Sequence, residues 1–237
     1  MKIVIFLYNG MTMLDAIGPY EVLRNIDGAE IMFVAEKKGV ITSDSGVVHI
    51  EATYEMSEVS KADILLIPGS TIAFIEETKN KKVLKWIRKM DKKTLWTTSV
   101  CTGSFLLASA GLLKGLQATS HWRVLSLLSQ YGVKPVRERV VEQDKYITAS
   151  GVSSGIDMAL YLTNKLVGEE EAKAIQLVVE YDPNPIYQSG SYNKADASII
   201  SRAKKKLVND VKRELGFKGI FKHCRELIKL VNEDRSF

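Results

Sequence analysis

The stretch TLWTTSVCTGSFLLASAGLLKG, residues 94–115, decides the fold. TLWTTSV (94–100) is rich in β-branched and aromatic side chains and reads as a strand. TGSFLLASAGLLKG (102–115) is apolar nearly all round, as a helix buried against a sheet is. Cys101 stands between them, at a strand-to-helix junction. The same alternation continues outward. KIVIFLY (2–8) and AEIMFVA (29–35) read as strands, and GPYEVLRNI (18–26) between them reads as a helix with a Gly-Pro start. GVITSDSGVVHIEATY (39–54) suits a short antiparallel hairpin, and ADILLIPG (62–69) is the continuous apolar run of a strand buried on both faces. NKKVLKWIRKMDKK (80–93) places Val83, Leu84, Trp86, Ile87 and Met90 on one helical face.

Beyond the junction come LQATS (116–120), a helix over about 122–131, and the strand-like VRERVVEQ (136–143) and KYITAS (145–150). Two helices follow, SGIDMALYLTNKLVG (154–168) and EEEAKAIQLVVEY (169–181). This order predicts an α/β fold of flavodoxin-like type: a doubly wound, mostly parallel sheet with helices on both faces and sites beyond the carboxyl ends of the strands. A single domain over residues 1–200 is expected, ending in the aperiodic, proline-containing DPNPIYQSGSYNK (182–194). Residues 201–237 form a basic helical extension, packed on that domain or projecting from it.

The 237 residues are 46% hydrophobic and 26% charged, the balance of an ordinary globular protein. The net charge of +5 is uneven: residues 202–237 carry 11 Lys/Arg against 5 Asp/Glu. A solvated helix face is the commoner meaning of such a run, and no nucleic-acid motif accompanies it, so nucleic-acid binding is disfavoured. No apolar run approaches the roughly 20 residues that span a bilayer, and the N-terminus lacks the pattern of a signal peptide, so a cytoplasmic home without a membrane is expected. The two cysteines, Cys101 and Cys224, lie in unlike contexts, which argues against a disulfide framework or a zinc site of cysteine pairs.

A thiol on a strand-to-helix turn meets free N–H groups and the positive end of the helix dipole, and both favour thiolate. A buried structural cysteine is the competing reading, and spacing alone leaves the two even. Asp15, in the loop after the first strand, is a candidate proton donor or acceptor, or else a cap for a helix beginning near Gly18. Backbone N–H groups around Gly69 and Ser70 offer half of an oxyanion hole facing Cys101, with the Thr102 N–H as the other half, or else belong to a plain turn. Among the histidines His121, at another junction, is a possible substrate contact, whereas His49 and His223 are poorly placed.

Taken together, LDAIGPYEVL (14–23), TSVCTGS (98–104), ATSHW (118–122), RERVVEQDKYITASG (137–151), GIDMAL (155–160) and EYDPNPIYQSGS (180–191) resemble the ThiJ/PfpI superfamily, relatives of the class I glutamine amidotransferases. Within it the chain is most similar to the isonitrile hydratases. The resemblance implies a cysteine nucleophile at an elbow, Cys101, an acid/base carboxylate, Asp15, and Thr102 beside them. It also implies a homodimer, a small-molecule substrate, and no metal or organic cofactor. The peptidase branch places histidine where this chain has Thr102, which disfavours proteolysis. Gly69-Ser70 stands where a Gly-Gly pair is expected, and TIAF (71–74) after it is bulkier than the small residues of the hydratases. The expected reaction is hydration of an isonitrile to an N-substituted formamide. An amidase or glyoxalase-like activity on a small amide or aldehyde stays open, as do a redox role through oxidation of Cys101 and an acidic partner for the basic tail.

Overall fold

The computed structural model describes residues 1–222. In chain order the first elements are β1 (Lys2–Phe6), α1 (Met13–Leu23), β2 (Glu30–Ala35), β3 (Gly39–Thr42), β4 (His49–Ala52), β5 (Tyr54–Glu55) and β6 (Ile64–Ile67). Next come α2 (Phe74–Glu77), α3 (Lys81–Asp91), β7 (Trp96–Val100), α4 (Gly103–Ser109), β8 (Gln117–Ala118), a 3-10 helix over Leu125–Tyr131, and β9 (Lys134–Pro135). The chain continues through β10 (Val140–Gln143), β11 (Tyr146–Ala149), α5 (Ser154–Val167), α6 (Glu169–Val178) and α7 (Ala197–Lys222).

Seven strands make the main sheet, in the order β10-β11-β7-β6-β1-β2-β5. All neighbours are parallel except β10 and β11, which turn back on each other at Asp144. β3 and β4 form the expected antiparallel hairpin apart from it. The chain leaves β1 toward β2 but later passes from β6 to β7 in the opposite direction, so right-handed crossovers put α1 and α3 on opposite faces. The reversal lies between β1 and β6, where a doubly wound sheet opens a crevice at its carboxyl edge. β6 is buried along its whole length, as its unbroken ILLI predicts.

Helix α3 buries Val83, Leu84, Trp86, Ile87 and Met90, and the Asn80 side chain caps it by accepting from the N–H groups of Lys82 and Val83. Two expected helices take other forms. The segment expected as a helix over about 122–131 forms a 3-10 turn from Leu125, and α4 ends before Gly111, whose φ of +81° stops it. Helix α1 starts at Met13, so Gly18 and Pro19 lie inside it and not at its start. The reason is packing between α1 and α5: Pro19 lies against Gly155, and a side chain on Gly18 would press on Ile156. No helix among the described residues is long and apolar enough to cross a membrane. Cys224 and His223 lie outside the described residues.

α4 meets β6 with no room to spare. A Cβ on Gly103 would sit 2.1 Å from the Ile67 carbonyl oxygen. Gly103→Ala is therefore expected to lower the unfolding free energy by roughly 1–3 kcal/mol through forced separation of helix and sheet. Urea denaturation of the two proteins measures it, as a lower midpoint at unchanged m-value.

Candidate active site

Three loops converge at the carboxyl edge. β1 leads to Asp15, β6 to Gly69 and Ser70, and β7 directly to Cys101. A backbone bridge between Met11 and Ser70, and a bond from the Thr12 N–H to the Gly69 carbonyl at 2.9 Å, tie the first two loops together.

Cys101 adopts φ +58°, the left-handed region that non-glycine residues avoid. Its N–H donates to the Ala149 carbonyl at 3.0 Å, and its own carbonyl accepts the hydroxyls of Ser104 at 3.1 Å and Ser120 at 3.0 Å. Gly69 passes so close that a Cβ there would lie 2.5 Å from the Thr102 nitrogen and 2.8 Å from the Cys101 Cβ. The thiol is thereby fixed at the head of α4, only 5% exposed.

Asp15 is fully buried in the first turn of α1. Its Oδ2 accepts the Gly69 N–H at 3.0 Å, while Oδ1 is buried without a hydrogen bond. It does not cap a helix beginning near Gly18, because α1 begins two residues before Asp15 itself. Burial raises its carboxyl to about 7, against the Gly69 N–H and Cys101, which pull it down. Burial also pushes the Cys101 thiol up, and the Asp15 charge adds to the rise. The N–H groups of Thr102 and Val152 act on the sulfur in the opposite direction. The thiolate-favouring helix terminus expected from the sequence is thus outweighed by desolvation.

The backbone donors also differ from expectation. The Gly69 N–H is taken by Asp15, and the Ser70 N–H donates to Thr102 Oγ1 at 2.8 Å. Thr102 Oγ1 in turn donates to the Ser70 carbonyl at 2.9 Å, so this threonine locks the two loops together. Neither N–H faces Cys101 as an oxyanion donor; the donors at the sulfur are those of Thr102 and Val152. His121 lines the same cavity, and burial followed by the Arg123 charge lowers it to about 4, leaving it neutral at pH 7.

The cavity over Cys101 has a volume of ≈ 340 Å³. Thr12, Asp44, Ser70 and Thr71 form one side, His121, Arg123 and Val124 another, and Val152 adjoins the thiol. Its roof is α7, through Leu207, Val208, Val211 and Lys212. Sequence reading missed this roof, although Leu207, Val208 and Val211 are apolar positions at helical spacing within a lysine-rich stretch. Val152 was missed too; its only signal is its place just after the strand KYITAS. Among the described residues, no group of three or more His, Cys, Asp or Glu is placed to hold a metal ion.

Glu214, also on α7, is partly buried with Oε2 unpartnered. Burial first, then the Asp44 charge, raises its carboxyl to about 8. Because its folded-state value lies above the ordinary 4.5, its contribution is complete below about 4.5 and is lost as pH rises through about 8. Amide protection in α7, corrected for intrinsic exchange, is expected to fall between pH 7 and 9 and to lose that fall in Glu214→Gln; an equal fall in both proteins would contradict it.

The Asp15–Cys101 coupling has its own readout. Asp15→Asn removes the charge that opposes the thiolate, so alkylation of Cys101 by iodoacetamide is expected to titrate at lower pH in the variant than in the parent. A midpoint that stays or rises would show that Asp15 does not act on the thiol.

Residues 1–165 match the sequence profile of the DJ-1/PfpI family. The chain is 33% identical over 213 residues to an isonitrile hydratase from Pseudomonas putida, covering 90% of this chain and 92% of that protein. It is 28% identical to the deglycase PfpI of Pyrococcus furiosus, over 63% of this chain and 89% of the other. A crystal structure of a ThiJ/PfpI family protein from Pseudomonas syringae superimposes with a TM-score of 0.84 at 32% identity, covering 90% of this chain and 88% of that one.

Proposed function

The chain belongs to the DJ-1/PfpI family, and from that premise we propose that it hydrates isonitriles to N-substituted formamides, with Cys101 as nucleophile and Asp15 as proton carrier. The observation that carries this reading is the pairing of a fixed thiol with a buried carboxyl whose Oδ1 is uncommitted, at the floor of a mostly apolar cavity. An isonitrile R–N≡C is uncharged, and its terminal carbon must gain both a nucleophile and a proton. A thiol and a carboxylate that share one proton supply both.

Sulfur forms a bond to the isonitrile carbon as the thiol proton passes to Asp15, and Asp15 delivers that proton to the same carbon. The product is a thioimidate, R–N=CH–S–Cys101. Water adds to its carbon, the nitrogen takes a proton, and the C–S bond breaks to release R–NH–CHO and the free thiol. One water is consumed and no electrons are exchanged. The N–H groups of Thr102 and Val152 steady the sulfur while it carries charge. Thr102 positions Ser70 by its two hydrogen bonds and leaves its N–H for the sulfur.

The amide and aldehyde alternatives need the same thiol and differ in substrate. The redox alternative is opposed by burial, because peroxide attacks thiolate and this thiol is held protonated. The homodimer implied by the resemblance has surface to use: Leu177, Val178, Ile186 and Tyr187 are 80%, 68%, 88% and 78% exposed.

Formamide release from a panel of alkyl and aryl isonitriles tests the proposal. Turnover is expected, absent in Cys101→Ala and reduced by roughly 10²–10⁴ in Asp15→Asn. The one-proton state exists above the Asp15 value and below that of the thiol, so kcat/KM is expected to rise as pH increases through about 7. Full activity in either variant would remove that residue from the mechanism.

A further inference from the structure

The cavity is larger than the reacting group and carries charge that the reaction does not use. Its ≈ 340 Å³ would hold on the order of ten waters, whereas the isonitrile group occupies only the floor beside Cys101. Val124, Val152, Leu207, Val208 and Val211 surround an apolar body. Two cations also line the cavity, Arg123 beyond His121 and Lys212 on α7. Neither side chain has an ion pair or a hydrogen bond with another described residue.

Among the described residues Asp44 is the one carboxylate in the lining, and its Oδ2 is held by the hydroxyls of Thr12 at 2.6 Å and Thr71 at 3.0 Å. It is engaged with its own wall. Nearby Glu214 is uncharged at pH 7, since burial and Asp44 raise it to about 8. Away from the reacting Cys101–Asp15 pair, the ionised side chains lining the cavity therefore sum, among the described residues, to one positive charge. A neutral alkyl isonitrile would leave that charge unmatched. A monoanion balances it, whereas a phosphate dianion would overshoot. The planar guanidinium of Arg123 suits a carboxylate in particular.

We propose that the substrate is an isonitrile whose apolar body ends in a carboxylate, with the isonitrile carbon at Cys101 and the carboxylate received by Arg123 and Lys212 beneath α7. This rests on the isonitrile reading above. It makes α7 the element that selects the substrate, since that helix supplies both the apolar roof and one of the two cations.

Two measurements test it, at pH 7 and low ionic strength so that screening does not mask the charge. The first compares kcat/KM for a linear ω-isocyanoalkanoate with that for its methyl ester, in the parent and in the Arg123→Gln/Lys212→Gln variant. The acid is expected to exceed the ester by about tenfold or more in the parent, and the ratio to fall toward one in the variant. The second needs no turnover: the rate of Cys101 alkylation by iodoacetate relative to iodoacetamide is expected to drop severalfold in the double variant, with folding checked by circular dichroism. A parent that prefers the ester, or an alkylation ratio unmoved by the double substitution, overturns the anion site. Failure to turn over either isonitrile, with the alkylation ratio responding as expected, overturns the isonitrile reading and leaves the anion site standing.

Discussion

Everything at the site depends on one residue held where L-amino acids resist being held. Cys101 at φ +58° carries strain on the order of 1–3 kcal/mol, and four separate segments hold it there. β11 pairs with β7 as far as Ala149 beside Val100, so the Ala149 carbonyl lies in place to accept the Cys101 N–H. Ser104 and Ser120 close on the Cys101 carbonyl from the helix and from the loop after β8. Gly69 and Gly103 contribute by lacking side chains: either Cβ would drive β6 and its loop away from the elbow. The sheet register, two hydroxyls and two glycines thus serve a single backbone angle, and that angle turns the sulfur into the cavity.

Having been fixed, the thiol is also dried. A helix terminus contributes roughly 0.3–1 kcal/mol to a charge beside it, whereas full burial shifts ionisation by as much as several pK units at about 1.4 kcal/mol each. Desolvation wins for both groups, raising Cys101 and raising Asp15 to about 7. In the working state the pair holds one proton between them, and it moves on only when a substrate carbon is present to receive it. An apolar roof over the cavity is consistent with that economy, since it offers few polar groups to a resting thiolate.

The sheet and the elbow were legible because they are written in local patterns. ILLI between turn residues can be little other than a buried strand, and a cysteine between TTSV and GSFLLAS marks a junction without any tertiary information. Asp15, Gly69, Ser70, Thr102 and His121 can be picked out as neighbours of Cys101 and its cavity, since each follows a strand end in a fold whose sites lie there. What those residues do was less legible. The rule placing proline at the first turn put the start of α1 at Gly18, but Pro19 is tolerated inside the helix where it packs on Gly155. The sequence leaves the N–H groups of Gly69 and Ser70 either as oxyanion donors or as part of a plain turn, whereas in the structure Asp15 and Thr102, 54 and 32 positions away, accept them. Nothing in a local pattern reports such a pairing.

The division between the matched family region and the rest of the chain follows the same physical lines. The groups placed to do chemistry lie within residues 1–165, at the carboxyl ends of strands held by the sheet. The roof comes from α7, beyond that region, and rests on the cavity through a few apolar side chains and one carboxyl. That carboxyl links the two parts. While Glu214 keeps its proton, α7 sits beside Asp44 without repulsion and the charge around the cavity remains positive. Were it to ionise, the same event would push the helix from Asp44 and cancel the positive charge that Arg123 and Lys212 present. Docking of the roof and its preference among ligands are therefore one electrostatic balance, and the sheet that holds the thiol takes no part in it.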